Sequence, residues 1–354
     1  MSTARDRTRT AWKVWAVVTV VPVLVIVGLH ACRNTNVLTE DRLCGGLVSA
    51  ERADAVLPGS GRLDAEGEGL RDELTRTVCR VEKSSVVLGS GEGELTVRVW
   101  AEQGDELLGV DRSPERSETS FFAGRATGGV DGYTGWALLP EKCWDDRPVI
   151  VRVSSSEQVS DRTAFAALTT DTARAVAAGA KCGDLPERPG TLLPPVSEEA
   201  GPAAEGQVCG LDGFSLRGQV PEGVKVLEAG QRAPADLWTC KVSLDDETRG
   251  YVRADGFMRY TASRDPLLIA AVRKAPGTTE GKAPDGREAD VVDGGSAMIL
   301  PCAGGGALYW AVESGQQYLE ASKRHPGLPR RDAYVAPFVK AAARTFGCDA
   351  PAAG

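Results

Sequence analysis

The stretch Val78-Cys79-Arg80-Val81 recurs later in the chain as Thr239-Cys240-Lys241-Val242. Two further stretches match in the same way: Ala137-Leu138-Leu139-Pro140 precedes Cys143, and Met298-Ile299-Leu300-Pro301 precedes Cys302. Around them, eight of the nine cysteines form two series of four, with steps of 35, 64 and 39 residues in the first and 31, 62 and 46 in the second. The matched spacing predicts one fold that is used twice.

These eight cysteines are predicted to form a disulfide framework, because an even set in an exported chain is most simply paired. If pairing stays within each repeat and is the same in both, three patterns remain, and we favour the first cysteine with the second and the third with the fourth. The predicted pairs are Cys44 with Cys79, Cys143 with Cys182, Cys209 with Cys240, and Cys302 with Cys348. A zinc site is the rival interpretation, but no pair has CxxC spacing and the chain has only two histidines.

The N-terminus predicts export from the cytoplasm. Within residues 1–13, four basic residues and one acidic residue precede an uncharged run at residues 14–32 that is dense in Val, Leu and Ile. A helix of this length spans about 28 Å, nearly the hydrocarbon thickness of a bilayer, and the positive-inside rule keeps the basic tail cytoplasmic. Three interpretations stay open: an uncleaved signal anchor, a lipoprotein signal and a cleaved signal peptide. Each of them places the bulk of the chain outside the cytoplasmic membrane.

Cys32 is the candidate lipidation site. It ends the stretch Leu29-His30-Ala31-Cys32, which resembles a bacterial lipobox, although His30 and the following Arg33 depart from the usual pattern. Lipidation would also account for the one cysteine that has no place in the two series.

Composition is typical of a globular, acidic protein. A length of 354 residues, with 42% hydrophobic and 25% charged residues, suggests about two domains. The same composition excludes that the chain as a whole is disordered. The net charge is −8, and from residue 14 onward it is −11, since 37 basic and 48 acidic residues lie there. Nucleic acid is therefore not an expected partner, because binding to it is driven by clustered Lys and Arg.

Hydrophobic periodicity predicts helices near both ends of each repeat, with strands between them. Residues 50–57 form a predicted short helix, and residues 79–88 and 94–100 form two predicted strands. In the second strand Leu95, Val97 and Val99 share one face, whereas Thr96 and Arg98 point to the other. Longer helical patterns lead to Cys182 and Cys348. Residues 274–290 are polar and are expected to form a long loop.

The chain is accordingly predicted to be α+β, with one N-terminal transmembrane helix followed by two similar disulfide-tied domains whose helices pack on antiparallel sheets. The predicted parts are a cytoplasmic tail at 1–13, a membrane anchor or lipoprotein signal at 14–32, a tether at 33–43, a first repeat at 44–182, a Pro/Glu/Gly/Ala-rich linker at 183–208, a second repeat at 209–349 and a short tail at 350–354.

Known catalytic motifs are missing from the sequence. It contains no GxSxG, SxxK, HExxH or GxxxxGK, and His325 is the one histidine outside the predicted membrane segment. The Gly-rich stretch at 89–93 is interpreted as a hairpin turn rather than a phosphate cradle, because strand patterns flank it. No catalytic, cofactor-binding or metal-ligating residue is predicted, and no cofactor.

Three other groups of residues have plain structural interpretations. The carboxylates at 144–146 and 245–247 are interpreted as solvated turns, since they lack the alternating spacing of a calcium loop. A basic cluster at 323–331 is interpreted as a polar loop rather than a binding site for an anionic polymer. Five tryptophans in or beside strands are expected to pack in cores, namely Trp100, Trp136, Trp144, Trp238 and Trp310.

The anchor, the helix after the first cysteine, the repeated Cys-basic-Val strand and the helix that ends at the last cysteine together carry a family resemblance. The chain resembles the small membrane-anchored or lipidated envelope proteins of unknown function in actinobacteria, here with the domain in tandem. The resemblance covers most of residues 33–349 and implies a location at the cell membrane, with both domains extracytoplasmic. Its motifs are structural, so it implies no reaction.

The expected function is non-catalytic binding of an envelope component, a small ligand or a partner protein by a membrane-tethered module. The membrane is the expected partner of the N-terminal segment. Two alternatives stay open, a structural subunit of an envelope complex and an envelope hydrolase that uses a pair of carboxylates.

Overall fold

The computed structural model describes residues 35–36, 39–67, 69–85, 93–104, 107, 119–195, 200–230, 235–245, 256–284 and 286–348. The predicted anchor at 14–32, with Cys32 at its end, lies outside these residues, and so does most of the Gly-rich turn at 89–93. Within the described part of the chain, no helix is long and apolar enough to cross a membrane.

The first repeat is built on a seven-stranded antiparallel sheet. A short hairpin of β1 (Arg42–Leu43) and β2 (Val48–Ser49) precedes it. The strands of the sheet are β3 (Arg62–Glu66), β4 (Val78–Ser84), β5 (Gly93–Ala101), β6 (Ser120–Phe122), β7 (Gly128–Val130), β8 (Thr134–Leu138) and β9 (Val149–Ser155). Their spatial order is β3-β4-β5-β9-β8-β7-β6.

The second repeat is built on an eight-stranded antiparallel sheet. Its strands are β10 (Gly201–Pro202), β11 (Lys225–Gly230), β12 (Leu237–Asp245), β13 (Met258–Ser263), β14 (Thr279–Lys282), β15 (Glu288–Val292), β16 (Ala297–Pro301) and β17 (Ala307–Ser314). Their order is β10-β11-β12-β13-β17-β16-β15-β14. Apart from the added edge strand β10, the chain follows the same path through both sheets.

Five α-helices are described. They are α1 (Ala50–Val56), α2 (Arg162–Gly179), α3 (Pro266–Arg273), α4 (Gln316–Arg324) and α5 (Asp332–Thr345). The long helix α2 lies against β8 and β9, and α5 lies against β17, so each sheet is covered on one face by the helix that follows its last strand. Ser49 caps α1 as its Oγ accepts a hydrogen bond from the Arg52 N–H. The α+β class with antiparallel sheets is thus confirmed.

Four disulfides join the predicted pairs. Cys44–Cys79 and Cys143–Cys182 lie in the first repeat, with Cα–Cα distances of 5.9 and 5.0 Å. In the second repeat, Cys209–Cys240 and Cys302–Cys348 span 6.0 and 4.6 Å. All four distances are usual for disulfides, and the framework predicted from the cysteine spacing is confirmed.

The first cysteine of each repeat has the same unusual backbone conformation. Cys44 has φ of 57° and Cys209 has φ of 58°, in the left-handed region that residues with a Cβ rarely adopt. The Cys209 N–H donates to the buried carboxylate of Glu228, at 2.6 Å. Both repeats therefore begin with the same turn, in which a glycine with positive φ, Gly45 or Gly210, follows the cysteine.

Helix α3 fills the space between the two repeats. Its side chains Leu268, Ile269 and Val272 belong to one apolar cluster that contains residues of both sheets, among them Ile150 of β9 and Tyr309 of β17. The helix also lies against β15 and β17 of its own sheet. A separate apolar cluster lies between the second sheet and α5.

Two segments of low periodicity have more structure than the sequence predicts. Residues 274–290 are not a long loop, because they contain β14 and part of β15. Within residues 183–208, Leu185 and Leu193 pack against the first core, and the Leu193 N–H donates to the Phe121 carbonyl at 2.8 Å. Proline and glycine conceal these short contacts, since they weaken the alternation by which strands are identified.

Candidate functional site

The eight paired cysteines have a structural role. All eight are half-cystines, so none is available as a thiolate nucleophile or a metal ligand. Cys32, the candidate lipidation site, lies outside the described residues. Among the residues that the structure describes, no group of three or more His, Cys, Asp or Glu side chains could hold a metal ion.

The residues given plain interpretations mostly lie where those interpretations place them. Asp145 and Asp146 are exposed in a turn, and the Asp145 carbonyl accepts a hydrogen bond from Lys274 Nζ at 2.8 Å. His325 is exposed just after α4, beside the basic cluster. In that cluster Lys323 Nζ lies 2.7 Å from a carboxylate oxygen of Glu320, and this hydrogen bond lowers the pKa of Glu320.

The outer face of the first sheet, the face turned away from α2, carries polar and aromatic side chains. Strand alternation puts Cys79, Val97 and Val153 toward the core, so their neighbours point outward. The outer face comprises Arg62, Asp64 and Glu66 of β3, Val78, Arg80, Glu82 and Ser84 of β4, Glu94, Thr96, Arg98 and Trp100 of β5, Ile150, Arg152 and Ser154 of β9, and Thr134, Trp136 and Leu138 of β8. Ile150, directly opposite Trp100, and Leu138 are buried in the apolar cluster to which α3 belongs.

One row of this face crosses the sheet at right angles to the strands. We call it the cross-strand row, and its directly opposed residues are, in order, Val78, Arg98, Arg152, Trp136, Gly129 and Phe121. Trp136 packs edge-on against Phe121, with ring centroids 6.4 Å apart. Gly129 between them makes this contact possible, because a Cβ there would lie 3.0 Å from the Phe121 ring and 3.1 Å from the Trp136 nitrogen.

The arginines of the outer face differ in their ion pairs. Arg152 Nη2 lies 3.0 Å from Glu102 Oε2, and Arg80 Nε lies 2.9 Å from Glu94 Oε1. Arg98 is exposed and makes no ion pair or hydrogen bond with any described residue. Arg152 Nε is buried and likewise has no hydrogen-bond partner in the described part of the chain. Arg98 and Arg152 are directly opposed, and like charges in this arrangement destabilise a sheet. Since Glu102 pairs with Arg152, the charge of Arg98 is the one that has no partner among the described residues.

Two apolar side chains border this charge and are open to solvent. Trp100 follows Arg98 on the same face and is 49% exposed, and Val78, directly opposite Arg98, is 46% exposed. Trp100 thus contradicts the expectation that the tryptophans pack in cores, whereas Trp144, Trp238 and Trp310 are buried. A half-exposed indole beside an unpaired guanidinium offers a flat apolar surface and a charged donor side by side.

The second sheet has different residues at the equivalent positions. In both repeats the row begins at the residue just before the second cysteine, which is Val78 in the first sheet and Thr239 in the second. The second row continues with Thr261, Ala311 and Ala297, all of them buried. The fold therefore forms this row from small side chains in one repeat, so it does not require two arginines and a tryptophan in the other.

The contact between the repeats is the other concentration of polar groups. Asp265 is only 2% exposed and caps α3, as its Oδ1 accepts from the Leu268 N–H at 2.8 Å. The same carboxylate accepts from Thr127 Oγ1 and from the Gly124 N–H, each at 2.9 Å. Thr127 and Gly124 belong to the first repeat. A single buried carboxylate thus ties a helix cap of one repeat to a turn of the other.

Two tyrosines of the second repeat have perturbed acidity. Burial raises the pKa of Tyr260 well above its ordinary value, and burial also raises the pKa of Tyr334, whose hydroxyl donates to the Gln219 carbonyl. Tyr260 Oη is buried without a hydrogen-bond partner among the described residues, and the Tyr260 ring packs against the rings of Phe214 and Phe338. Both phenols stay protonated at neutral pH, so these groups belong to the packing of the core.

Sequence reasoning missed the outer face, although the signal for it was present. The alternation that puts Leu95, Val97 and Val99 on the core face also puts Trp100 on the face of Thr96 and Arg98. That parity outweighs the general tendency of tryptophan to be buried. The pairing of Arg98 with Arg152 is a matter of sheet register and has no local sequence signal.

Comparisons with known proteins give no match, whether to a family model, to a curated protein or to a solved structure.

Proposed function

We propose that the protein is a non-catalytic, extracytoplasmic module that is tethered to the cell membrane by its N-terminal segment and binds an envelope component through the outer face of the first sheet. The observation that carries this proposal is the exposed Arg98, without an ion-pair partner in the described residues, between Trp100 and Arg152. An exposed residue that lowers the stability of its sheet is typical of a binding surface, since packing does not explain its presence.

Location is supported by two independent features. Four disulfides are typical of proteins that mature in an oxidising compartment. The uncharged run at 14–32, with basic residues before it, is typical of a membrane-targeting segment. Both agree with the resemblance to anchored or lipidated actinobacterial envelope proteins. In either form of attachment, the repeats would stand on the tether at 33–43, close to the membrane and within reach of the envelope.

Co-sedimentation tests the binding. The purified full chain, kept in detergent, is mixed with isolated cell envelopes of the producing cell and centrifuged, with the heat-reduced chain as a control for non-specific adsorption. We expect the native chain to sediment with the envelopes and to release no soluble fragment from them. A chain that stays in the supernatant, or that releases envelope fragments with turnover, contradicts the proposal.

Intact mass tests the attachment. The membrane form is expected to have either the full N-terminus or a mass that begins at a diacylglyceryl-modified Cys32. A secreted form that begins after residue 32 and carries no lipid would contradict tethering.

A further inference from the structure

We infer that the ligand of the outer face is an anionic glycan, a sugar chain that carries carboxylate or phosphate groups. The inference rests on the proposed function, because it specifies the ligand of the same surface. It depends on the cross-strand row and on Trp100, which lies next to it.

The positive charge of the row is the first argument. Arg98 and Arg152 are directly opposed on neighbouring strands, about 5 Å apart at their Cβ atoms, where two like charges repel. Glu102 neutralises Arg152, but no described carboxylate lies within ion-pair distance of Arg98. An anionic group above Arg98 would accept charge-assisted hydrogen bonds from its guanidinium group and reduce the repulsion.

The aromatic side chain is the second argument. Trp100 exposes about half of its surface on the same face, two residues along β5 from Arg98. A pyranose ring presents a face of C–H groups that packs on an indole, while its substituents point sideways toward hydrogen-bonding groups. An anionic sugar chain therefore matches both neighbours at once, with a ring on Trp100 and a charge at Arg98.

The shape and charge of the face argue against three other classes of partner. The distance from Val78 to Trp136 covers four strands, about 14 Å, and the surface is a sheet face rather than an edge to which a peptide strand could be added. An anionic membrane surface or nucleic acid needs an extended basic field, which this face of an acidic protein lacks. One arginine without an ion-pair partner in the described residues suits a single charged group on a glycan.

The second repeat provides an internal comparison. There the equivalent row has Thr261 and Ala311 in place of the two arginines, and α3 lies against β17. Ser263 occupies the position equivalent to Trp100 and is fully buried. The substitutions Arg98→Thr and Trp100→Ser thus introduce residues that this fold already accepts at those positions, so both variants are expected to fold.

Binding measurements on the full chain in detergent test the inference. The probes are oligogalacturonate, its fully methylated ester, a phosphomannan and dextran, all of which contain pyranose rings. We expect at least one of the two anionic polymers to bind, and the neutral ester and dextran to bind at least about tenfold more weakly, as expected for loss of a charge-assisted hydrogen bond. Whether the carboxylate or the phosphate polymer binds more tightly identifies the anionic group.

Variants assign the binding to the face. Arg98→Thr and Trp100→Ser should each weaken binding roughly 10-fold or more. The controls are Tyr133→Ser, an equally exposed aromatic residue in the turn between β7 and β8, and Arg217→Thr, an exposed arginine of the second repeat. Both controls should bind like the wild type, and all four variants should be folded at the assay temperature, with Arg98→Thr melting no lower than the wild type because it removes the repulsion from Arg152.

Failure of the inference and failure of the proposed function give different results. The inference is overturned if none of the four polymers binds, if the ester binds as tightly as the acid, or if Arg98→Thr and Trp100→Ser bind as the wild type does. Envelope co-sedimentation that survives both substitutions removes this face from the proposal but leaves an envelope-binding protein. A chain that never co-sediments with envelopes overturns the proposed function itself.

Discussion

Replacing Asp265 by alanine should weaken the contact between the two repeats and lower the free energy of unfolding. The buried carboxylate accepts three hydrogen bonds, one from the first turn of α3 and two from the first repeat, through Gly124 and Thr127. Loss of the helix cap costs about 1 kcal/mol. Each cross-repeat donor that is left without its charged acceptor adds roughly 1.5 kcal/mol. We therefore expect the free energy of unfolding to fall by about 4 kcal/mol.

A matched control is available in the first repeat. Asp161 caps α2 in the same way, with its Oδ1 2.9 Å from the Ala164 N–H, but it is exposed and makes no described contact with the other repeat. Asp161→Ala should cost only the cap, about 1 kcal/mol. The difference between the two variants measures the bonds that cross from one repeat to the other.

Urea denaturation of the full chain in detergent, followed by circular dichroism and tryptophan fluorescence, measures both losses. A double-mutant cycle with Thr127→Val adds the coupling between Thr127 and Asp265, which we expect to be about 1 kcal/mol. Equal losses for Asp265→Ala and Asp161→Ala, or a coupling energy near zero, would refute the reasoning that Asp265 holds the repeats together.

Three further predictions concern stability. Replacing Cys302 and Cys348 together by alanine should lower the free energy of unfolding by about 4 kcal/mol for a 46-residue closure, and an unchanged urea midpoint would contradict this. Burial raises the pKa of Tyr260 and Tyr334 in the folded state, so their contribution to the free energy of unfolding is present below the unfolded pKa of about 10 and is lost as the pH rises above it. The free energy of unfolding measured between about pH 9 and pH 11 should therefore fall, and it should fall less steeply in Tyr260→Phe. An identical slope in that variant would show that the Tyr260 phenol is not the titrating group. Gly129→Ala should cost about 1–3 kcal/mol by overpacking, since its Cβ would lie 2.7 Å from Thr119 Cγ2, and a melting temperature equal to that of the wild type would show that the Trp136–Phe121 contact adjusts freely.

The sequence predicts much of the fold, because cysteine spacing and strand alternation can both be recognised from the order of residues alone. The spacing of the two cysteine series left three pairing patterns, and the favoured one is the pattern that the structure has. Alternation placed Leu95, Val97 and Val99 correctly on the core face of β5. These signals survive because a strand with one buried face must repeat every second residue.

What the sequence could not predict depends on contacts between distant parts of the chain. Helix α3 is a short apolar segment, and nothing local in Pro266–Arg273 indicates that it packs against the first repeat. Strands β14 and β15 contain glycine and charged residues on a partly exposed edge, so their pattern resembles that of a loop. The outer face of the first sheet likewise exists only once the register brings Arg152 beside Arg98.

Each disulfide joins two cysteines that are neighbours in chain order. If the chain is exported as we propose, the partner of each first cysteine is the next cysteine to reach the oxidising compartment, and an oxidase that couples successive thiols would make the native set without an isomerase. Cys32 precedes Cys44 in the chain. A free thiol at Cys32 in the same compartment would compete for Cys44 and could shift every later pair by one, so lipidation of Cys32 would also protect the pairing of both repeats.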